Sequence, residues 1–397
     1  MINRKKYILG LGLLFTILIA LNSCNKTISS DSPLAKVVAP QVLVPTNNGT
    51  LYALDAKTGI KNWEYKLINA SAKVNTTPLV AFDSVAFFTD DEGTGNYYAV
   101  NIKTGKELFR KIFKSNSAIK NNLAFYSNRV YVTTSDGSNA DSILQLDDKG
   151  VVIWRNYCHA SANRHFSAAP SFGNNKMYIP NENGTLECYD LSLPNFSAPI
   201  WTYNATTTIP TNPVVTDSFT YLTNASKEVH KINNFSHNMV WKYTTGNNIV
   251  SSPVLYGDMV VVGSEDFKVY CIDNISGKTT SRWIYATLDR VKSSACFNKE
   301  SENLIIGSND FNLYAINHVN GQLRWKFPTS SIINTSPVDY NGNVVFSCMD
   351  KYCYCVNAST GKLVWKYNIN SIADASPMVC TVAGTNYYPA ECFNSIY

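Results

Sequence analysis

Seven tryptophans recur along this chain of 397 residues at nearly one spacing. They are Trp63, Trp154, Trp201, Trp241, Trp283, Trp325 and Trp365, and Phe109 fills the one wide gap between them. With Phe109 included, successive spacings are 46, 45, 47, 40, 42, 42 and 40 residues. A repeat of about 40–50 residues is typical of propeller blades. Eight aromatic positions therefore predict eight repeats of one structural unit.

The residues before each aromatic have the pattern of a β-hairpin. In the segment LYALDAKTGIKNW, a short alternating strand leads to Asp55, a turn containing Gly59 follows, and Trp63 lies in the next strand. An Asp or Asn side chain at such a turn can accept hydrogen bonds from nearby backbone N–H groups. All eight units carry one there: Asp55, Asn101, Asp147, Asp190, Asn233, Asp273, Asn317 and Asn357. We therefore interpret this position as a structural turn residue.

Each unit also contains a Ser/Thr-rich segment that begins a further strand. Examples are Thr76-Thr77-Pro78 and Ser251-Ser252-Pro253, in which proline occupies the first strand residue, a position where a sheet tolerates it. With the apolar strand that follows, each unit has four antiparallel strands, as a propeller blade does. The sequence thus predicts an all-β fold, an eight-bladed β-propeller of four-stranded antiparallel blades over residues 41–397.

The two ends of the chain predict how the ring closes. Residues 41–46 lead into the first repeat without an innermost strand before them, whereas 376–382 form a spare strand after the last repeat. We expect the N- and C-terminal strands to pair and complete one blade, which removes exposed strand edges. The segment 386–397 has no clear place in this scheme.

The repeat Ala53-x-Asp55-x-x-x-Gly59-x-x-x-Trp63 resembles the tryptophan-docking repeat of pyrroloquinoline-quinone-type propellers. That superfamily includes quinoprotein alcohol dehydrogenases and the lipoprotein B subunit of the outer-membrane β-barrel assembly machinery. The resemblance covers about residues 41–397 and implies that each aromatic packs against the neighbouring blade. All eight aromatics are thus expected blade-docking residues, with Phe109 lacking the indole N–H donor. The fourth and fifth repeats depart from the pattern because their turns contain no glycine.

The N-terminus predicts export and lipid attachment. Residues 1–23 have the charged start, apolar run and short cleavage region of a signal peptide, and the apolar run is short for a membrane span. Cys24, directly after Leu-x-Ser, resembles the lipid acceptor of a bacterial lipobox; the alternative is an ordinary secretory signal. Residues 24–40 would then form a polar tether. These features predict a lipid-anchored protein of the outer membrane, facing the periplasm.

Charge argues against a nucleic-acid partner. Loss of Arg4, Lys5 and Lys6 with the signal peptide lowers the net charge from +5 to about +2. The remaining charges are scattered along the repeats, whereas nucleic-acid binding requires a concentrated basic surface.

Cysteines, acidic residues and histidines leave several alternatives open. Cys188, Cys271 and Cys355 occupy a repeat position that elsewhere holds Ala, so we interpret them as small buried residues. Cys348 could instead pair with a neighbouring cysteine across its hairpin, and a zinc site there is a weaker alternative. Acidic residues between the second and third strands would share one face. They are either ordinary turn residues or a ring for a cation or basic partner. The loop with His159, Arg164 and His165 is either solvated or recognises an acidic group.

The function predicted from these observations is that of a non-catalytic scaffold. Family members that bind the quinone use two adjacent cysteines, a calcium ion and a catalytic Asp; no two cysteines are adjacent here, and we expect no cofactor and no metal. We predict a monomeric ring that binds an envelope protein, a β-barrel assembly subunit in the leading interpretation. Candidate contact residues in the loops 288–292 and 370–374 are Leu288, Arg290, Lys292, Ile372 and Asp374. The alternatives are a lipoprotein that binds a glycan or other extracellular ligand, and a quinone-dependent dehydrogenase.

Overall fold

The structure is a computed structural model, and it describes residues 39–69, 71–82, 84–92, 95–112, 119, 121–134, 141–157, 165–193, 198–275, 281–381 and 386–387. The expected signal peptide, Cys24, His159 and Arg164 lie outside these residues. Every regular element in the described ranges is a β-strand. None of the described residues belongs to a helix with the length and hydropathy needed to cross a membrane.

The strands follow one another in short hairpins from the N-terminal to the C-terminal end. The first fifteen are β1 (Gln41–Pro45), β2 (Thr50–Asp55), β3 (Lys61–Lys66), β4 (Leu79–Ala81), β5 (Val85–Thr89), β6 (Asn96–Asn101), β7 (Glu107–Ile112), β8 (Ala124–Tyr126), β9 (Arg129–Thr134), β10 (Ser142–Leu146), β11 (Val152–Tyr157), β12 (Ser171–Gly173), β13 (Lys176–Pro180), β14 (Thr185–Asp190) and β15 (Trp201–Asn204). The others are β16 (Val214–Val215), β17 (Phe219–Thr223), β18 (Glu228–Asn233), β19 (Met239–Thr244), β20 (Val254–Tyr256), β21 (Met259–Ser264), β22 (Lys268–Asp273), β23 (Ser281–Ala286), β24 (Cys296–Asn298), β25 (Asn303–Gly307), β26 (Asn312–Asn317), β27 (Leu323–Pro328), β28 (Val338–Tyr340), β29 (Asn343–Cys348), β30 (Tyr352–Asn357), β31 (Leu363–Asn368), β32 (Met378–Cys380) and β33 (Asn386–Tyr387).

These strands form eight antiparallel sheets arranged as an eight-bladed β-propeller, which confirms the predicted fold. Blades 2 to 8 are successive sets of four strands, from β4–β7 to β28–β31. In each blade we number the strands from the innermost outward, so that the first strand lines the axis and the fourth lies at the rim. The second and third strands are buried along almost their whole length, as in Met259–Ser264, because each blade is covered on both sides by its neighbours.

Blade 1 closes the ring with both ends of the chain, as the sequence predicted. Its order is β3-β2-β1-β32-β33, and Leu43 of β1 lies opposite Met378 of β32. The surplus C-terminal segment begins with a fifth strand: Tyr387 pairs with Val379, on the side of β32 away from β1. Blade 1 is therefore held together by a strand pairing between residues more than 300 positions apart.

The loops divide between two faces of the ring. The lower face carries the turns between the third and fourth strands, which contain the Asp and Asn positions described above. The upper face carries the loops between blades and the loops between second and third strands. This division follows from the antiparallel order of every blade, and it places the docking tryptophans and the candidate partner loops at opposite faces.

Candidate functional site

At the lower face, the docking tryptophans bridge neighbouring blades through their indole N–H groups. Trp63 Nε1 donates to Ile102 O of the next blade at 2.8 Å. Trp365 of blade 8 makes the same contact across the closing junction, with Ala56 O at 3.0 Å. Two further bonds of this kind are Trp283 Nε1 to His318 O at 2.7 Å and Trp325 Nε1 to Ala358 O at 3.0 Å. In each case the acceptor is the residue directly after the turn Asp or Asn.

The turn that receives each indole is shaped by its Asp or Asn. Asp55 Oδ1 accepts hydrogen bonds from the backbone N–H groups of Lys57 and Thr58, at 3.0 and 2.8 Å. The equivalent side chains accept a bond of the same kind two or three residues ahead: Asn101, Asp147, Asp190, Asn233, Asp273, Asn317 and Asn357. The side-chain oxygens of these Asp and Asn residues are therefore used to shape the turns.

Blade 5 departs from this pattern, as the absence of a glycine from its turn indicated. His237 takes the place of the glycine with φ of 60° and stacks on Trp201 at 4.8 Å between ring centroids. The indole nitrogens of Trp201 and Trp241 are buried and have no hydrogen-bond partner among the described residues. Asn274 O, the acceptor expected for Trp241, instead receives the ammonium of Lys231 at 2.9 Å. Burial lowers the pKa of Lys231, whose Nζ also lies 3.9 Å from the centre of the Phe219 ring.

At the upper face, acidic side chains support the loops and form no cation site within the described ranges. Asp310 Oδ2 accepts from Tyr314 Oη at 2.7 Å and from the Leu288 backbone N–H at 2.8 Å. Asp266 and Asp350 hold the loops before blades 6 and 8 in the same way, each with a tyrosine partner. Burial, and then the hydrogen bond to Asp310, raises the pKa of Tyr314. The turn interpretation therefore accounts for these carboxylates.

The candidate loop 288–292 presents an apolar side chain on a fixed backbone. Leu288 is 78% exposed. Its loop is held by the bond to Asp310 and by the bonds from Asn309 N to Arg290 O and from Val291 N to Ser264 O, at 2.9 and 3.1 Å. Lys292 pairs with Glu265 at 3.3 Å. Hydrogen bonds thus hold the backbone of the loop, and one large apolar side chain lies in solvent.

Two phenylalanines on the same face reinforce this observation. Phe267 and Phe311 lie in the loops between second and third strands of blades 6 and 7, with φ of 70° and 72°. The same turn position is glycine in three other blades, since L-residues disfavour this left-handed backbone. Both phenylalanine side chains are nevertheless exposed, at 43% and 46%. Burial within the chain gives no reason for phenylalanine at either position.

The second candidate loop, 370–374, is tied to blade 1 and is less exposed at its apolar residue. Asn47 Nδ2 donates to Asp374 Oδ2 at 2.6 Å, and Asp374 N donates back to Asn47 Oδ1 at 3.2 Å. Lys73 lies 3.8 Å from the same carboxylate. Ile372 is half-buried, and its carbonyl accepts from Asn47 N. Of the two loops, 288–292 offers the better apolar contact.

Around the axis, residues two positions before the first strand donate their backbone N–H groups to side-chain oxygens of the next blade at five junctions. Ser252, Ser294 and Ser336 donate in turn to Ser294, Ser336 and Ser376, at 2.9, 2.9 and 2.8 Å. Thr77 donates to Asn122, and Ala169 to Asn212, at 3.0 and 3.1 Å. We call this set the axial belt: Thr77, Asn122, Ala169, Asn212, Ser252, Ser294, Ser336 and Ser376. The Ser/Thr-Pro segments of the sequence thus have a second role in joining the blades.

An open polar cavity of about 270 Å³ lies at the upper end of the axis. Six blades contribute to its wall, including Asn75, Asn121, Asn122, Thr211 and Asp374. Asp374 is the one ionisable side chain among the described lining residues. The cavity is therefore rich in amide and hydroxyl groups and low in charge.

An ionisable cluster at blade 5 is also occupied by its own contacts. Glu228 accepts from Lys242 at 2.7 Å and from His230 at 2.9 Å, and His230 Nδ1 lies 2.9 Å from Tyr203 Oη. Burial raises the pKa of Glu228, but the hydrogen bonds from Lys242, His230 and Asn224 outweigh it and lower that pKa to about 2. Burial lowers the pKa of His230 despite the nearby carboxylate. Beside the axis, His165 pairs with the buried Asp141 at 3.2 Å.

The described cysteines are buried free thiols. Cys271 and Cys355 lie directly opposite Trp283 and Trp365 in the neighbouring strand, where a small side chain is required. Burial raises the pKa of Cys271 and Cys355 to about 12, so these thiols remain protonated at neutral pH. Cys348 is also a free thiol, and its hairpin disulfide is not formed.

Comparison with known proteins gives a family for this architecture. The model of the family described as outer membrane protein assembly factor BamB matches residues 80–192 and 196–379. The crystal structure of BamB from Moraxella catarrhalis superimposes with a TM-score of 0.57 at 17% identity, covering 80% of this chain and 93% of that one. The computationally designed protein Ika8 superimposes with a TM-score of 0.62 at 15% identity, covering 79% and 94%. At such identities the two structures show the fold alone.

A dehydrogenase also shares part of the sequence. Polyvinylalcohol dehydrogenase of Sphingopyxis sp. (strain 113P3) is 24% identical over 160 residues, which is 34% of this chain. The chain covers 24% of the length of that relative.

Proposed function

The chain belongs to the family of the outer membrane protein assembly factor BamB, and from this membership we propose that it is a non-catalytic scaffold in outer-membrane protein assembly. A lipid on Cys24 would anchor it to the outer membrane facing the periplasm, and residues 24–40 would link the anchor to the propeller of 41–397. The ring would act as a monomer that docks on another envelope protein, with a β-barrel assembly subunit as the first candidate.

The exposed Leu288 is the observation that carries this proposal. A leucine held in solvent by a hydrogen-bonded loop already has the conformation in which a partner would meet it, so binding costs little ordering entropy. Phe267 and Phe311 lie in the two blades that flank the loop and add exposed aromatic surface. Arg290 and Lys292 provide a polar rim beside Leu288, as protein interfaces commonly have. We propose this upper-face patch, Phe267, Leu288, Arg290, Lys292 and Phe311, as the docking surface.

The donor groups on the upper face do not fit quinone chemistry of the family type. That chemistry uses adjacent cysteines and a calcium site of acidic and amide side chains. Cys353 and Cys355 are separated by Tyr354 and are buried within blade 8, and the upper-face carboxylates of Asp266, Asp310 and Asp350 are bonded to tyrosines and loop N–H groups. These arrangements support a role without catalysis. Dye reduction by protein incubated with calcium and pyrroloquinoline quinone would contradict it.

The proposal is tested by recovering partners of the full-length lipidated protein from its own envelope in a gentle detergent. We expect mass spectrometry to identify a β-barrel assembly subunit with the wild-type protein and much less of it with Leu288→Asp. Val319→Asp is the matched control, because Val319 is 67% exposed but lies in a lower-face turn.

Equal recovery with Leu288→Asp and wild type would remove the proposed docking surface. Loss of the partner with Val319→Asp as well would indicate a general effect of added charge. Recovery of glycan-uptake components instead of an assembly subunit would contradict the scaffold role.

A further inference from the structure

The axial belt is broken at one of its eight positions. Seven members carry a side-chain oxygen, whereas Ala169 in blade 4 carries none. If blade 3 follows the pattern by which Thr77 N reaches Asn122 Oδ1, the backbone N–H of Asn122 is directed to position 169, which offers no side-chain acceptor. The break coincides with the polar cavity, whose wall contains both Asn122 and Ala169.

Blade 4 also lacks a side-chain hydrogen bond at the position directly before the axial belt. In blades 6 and 8 the residue before the belt position bonds to its own second strand, with Ser251 Oγ donating to Gly263 O at 3.0 Å and Thr335 Oγ1 to Ser347 O at 2.6 Å. Alanine takes this position in blades 1 and 4, as Ala375 and Ala168, and in blade 4 the belt residue Ala169 is alanine as well. The nearby Asn181 is fully buried, and neither its Oδ1 nor its Nδ2 has a partner among the described residues.

The unpaired amide lies close to the cavity wall. Asn181 forms an isolated β-bridge with Phe166, the neighbour of the lining residue Ser167. A buried amide without partners costs about 1–3 kcal/mol unless something else supplies its hydrogen bonds. Blade 4 therefore leaves the side chain of Asn181 without a described partner and offers no side-chain oxygen at Ala169, which lines the cavity.

The lining indicates the chemistry of a ligand that would complete these bonds. Amide and hydroxyl groups both donate and accept, and vicinal hydroxyl groups can do the same in return. Asp374 is the one ionisable side chain among the described lining residues, and Lys73 Nζ lies 3.8 Å from its carboxylate, so the cavity offers little net charge to a charged ligand. Its volume of about 270 Å³ is near the lower end of ordinary ligand pockets and suits a small compound.

We propose that the upper axial cavity binds a neutral saccharide of one or two sugar units, with a hydroxyl oxygen filling the break in the axial belt at Ala169. This site is distinct from the proposed docking surface, and it does not depend on the scaffold function. The sugar hydroxyl takes the place that Ser294 or Ser336 Oγ has in other blades, and accepts the hydrogen bond of Asn122 N–H.

The test is titration of the full-length protein, in a detergent without a sugar headgroup, with glucose, N-acetylglucosamine and cellobiose by isothermal titration calorimetry. We expect at least one sugar to bind with one site per chain. Ala169→Ser supplies the missing oxygen from the protein and is expected to weaken binding about tenfold or more, since it replaces one hydrogen bond of the ligand. Ser336→Ala opens the belt between blades 7 and 8, neither of which contributes a described lining residue, and is expected to leave binding within about twofold of wild type.

Thermal unfolding with and without sugar provides a second measurement on the wild-type protein, independent of any substitution. Binding is expected to raise the melting temperature progressively with sugar concentration, as the logarithm of one plus the ratio of free sugar concentration to Kd. Absence of binding by all three sugars would overturn the proposal, and so would Ala169→Ser binding as tightly as wild type. An uncharged Ser/Asn peptide that binds when the sugars do not would assign the cavity to a polypeptide instead. Partner recovery is measured separately, so the two proposals fail independently.

Discussion

Gly105 lies against the indole ring of Trp63, so closely that a Cβ on Gly105 would be 2.6 Å from Trp63 Cε3. The same turn has φ of 68° at Gly105 and offers Ile102 O to the indole N–H. One glycine therefore satisfies two requirements, a left-handed backbone and a flat surface for the ring. The pairing repeats between other neighbouring blades, including Gly59 with Trp365 where the ring closes.

Gly105→Ala is expected to destabilise the propeller through both requirements. The left-handed backbone costs a non-glycine residue about 1–2 kcal/mol, and crowding of the ring adds about 1–3 kcal/mol. Gly257→Ala is the matched control, because Gly257 has φ of 54° but a Cβ added to it would have no other atom within 4 Å. Urea unfolding measures both losses. Equal losses for the two variants would mean that the contact with Trp63 contributes nothing.

Trp283→Ala is expected to lower the free energy of unfolding by about 3–5 kcal/mol, as truncation of a buried aromatic does. Trp283 is 9% exposed and donates to His318 O. Trp283→Phe keeps most of the apolar surface and should cost about 1–3 kcal/mol, mainly because the His318 carbonyl loses its donor. Denaturant titration compares the two. A loss below about 1 kcal/mol for Trp283→Ala would contradict the docking role.

Phe311→Gly separates partner binding from stability. Glycine removes the strain of the left-handed backbone at φ of 72°, but it also raises the conformational entropy of the unfolded chain. Because these effects oppose each other, the free energy of unfolding should change by less than about 1 kcal/mol. Recovery of the envelope partner should nevertheless fall, since 46% of the Phe311 side chain is exposed on the proposed docking surface. Unchanged recovery at unchanged stability would remove Phe311 from that surface.

Asp339 makes the protein less stable as the pH rises. Its burial raises the pKa of the carboxyl from 3.8 to about 6, although Asn298 Nδ2 donates to it at 2.7 Å. Between pH 3.8 and about pH 6 the folded state thus keeps a proton on Asp339 that the unfolded state has lost. The stabilisation from this proton is fully present below pH 3.8 and is lost as the pH rises through about 6. Asp339→Asn should raise the melting temperature at pH 7.5 and have a smaller effect at pH 4.

The control for this prediction is Asp148→Asn at an exposed position. It should leave the pH profile of melting temperature unchanged. A gain for Asp339→Asn that is the same at pH 4 and pH 7.5 would show that proton binding at Asp339 has no part in the effect.

The architecture could be predicted from the sequence because each blade repeats a local pattern. The tryptophan spacing indicated the number of blades, and the unpaired N-terminal strand at 41–46 indicated closure by the C-terminus. Both inferences need only the period of the repeat and the pairing of strands within a blade. The hairpin disulfide of Cys348, left open by the sequence, was decided only by the structure.

The candidate sites could not be predicted as fully, because they depend on contacts between blades. The Ser/Thr-Pro segments showed where first strands begin, but the bond from Ser294 N to Ser336 Oγ joins residues 42 positions apart. The alanines at 168 and 169 resemble ordinary substitutions until Asn181 is seen buried beside them. The role of Leu288 likewise could not be predicted from the repeat, because an exposed loop residue takes no part in the repeated packing of the blades.

The pairing of β1 between β2 and β32 also determines how the molecule would respond to a mechanical load. Tension applied through the residues before Gln41 reaches a strand that has hydrogen bonds along both sides. A pull along β1 must shear two ladders together, whereas the same pull on an edge strand would open one ladder bond by bond. A load applied through the N-terminus would thus act on one of the strands best able to resist extraction.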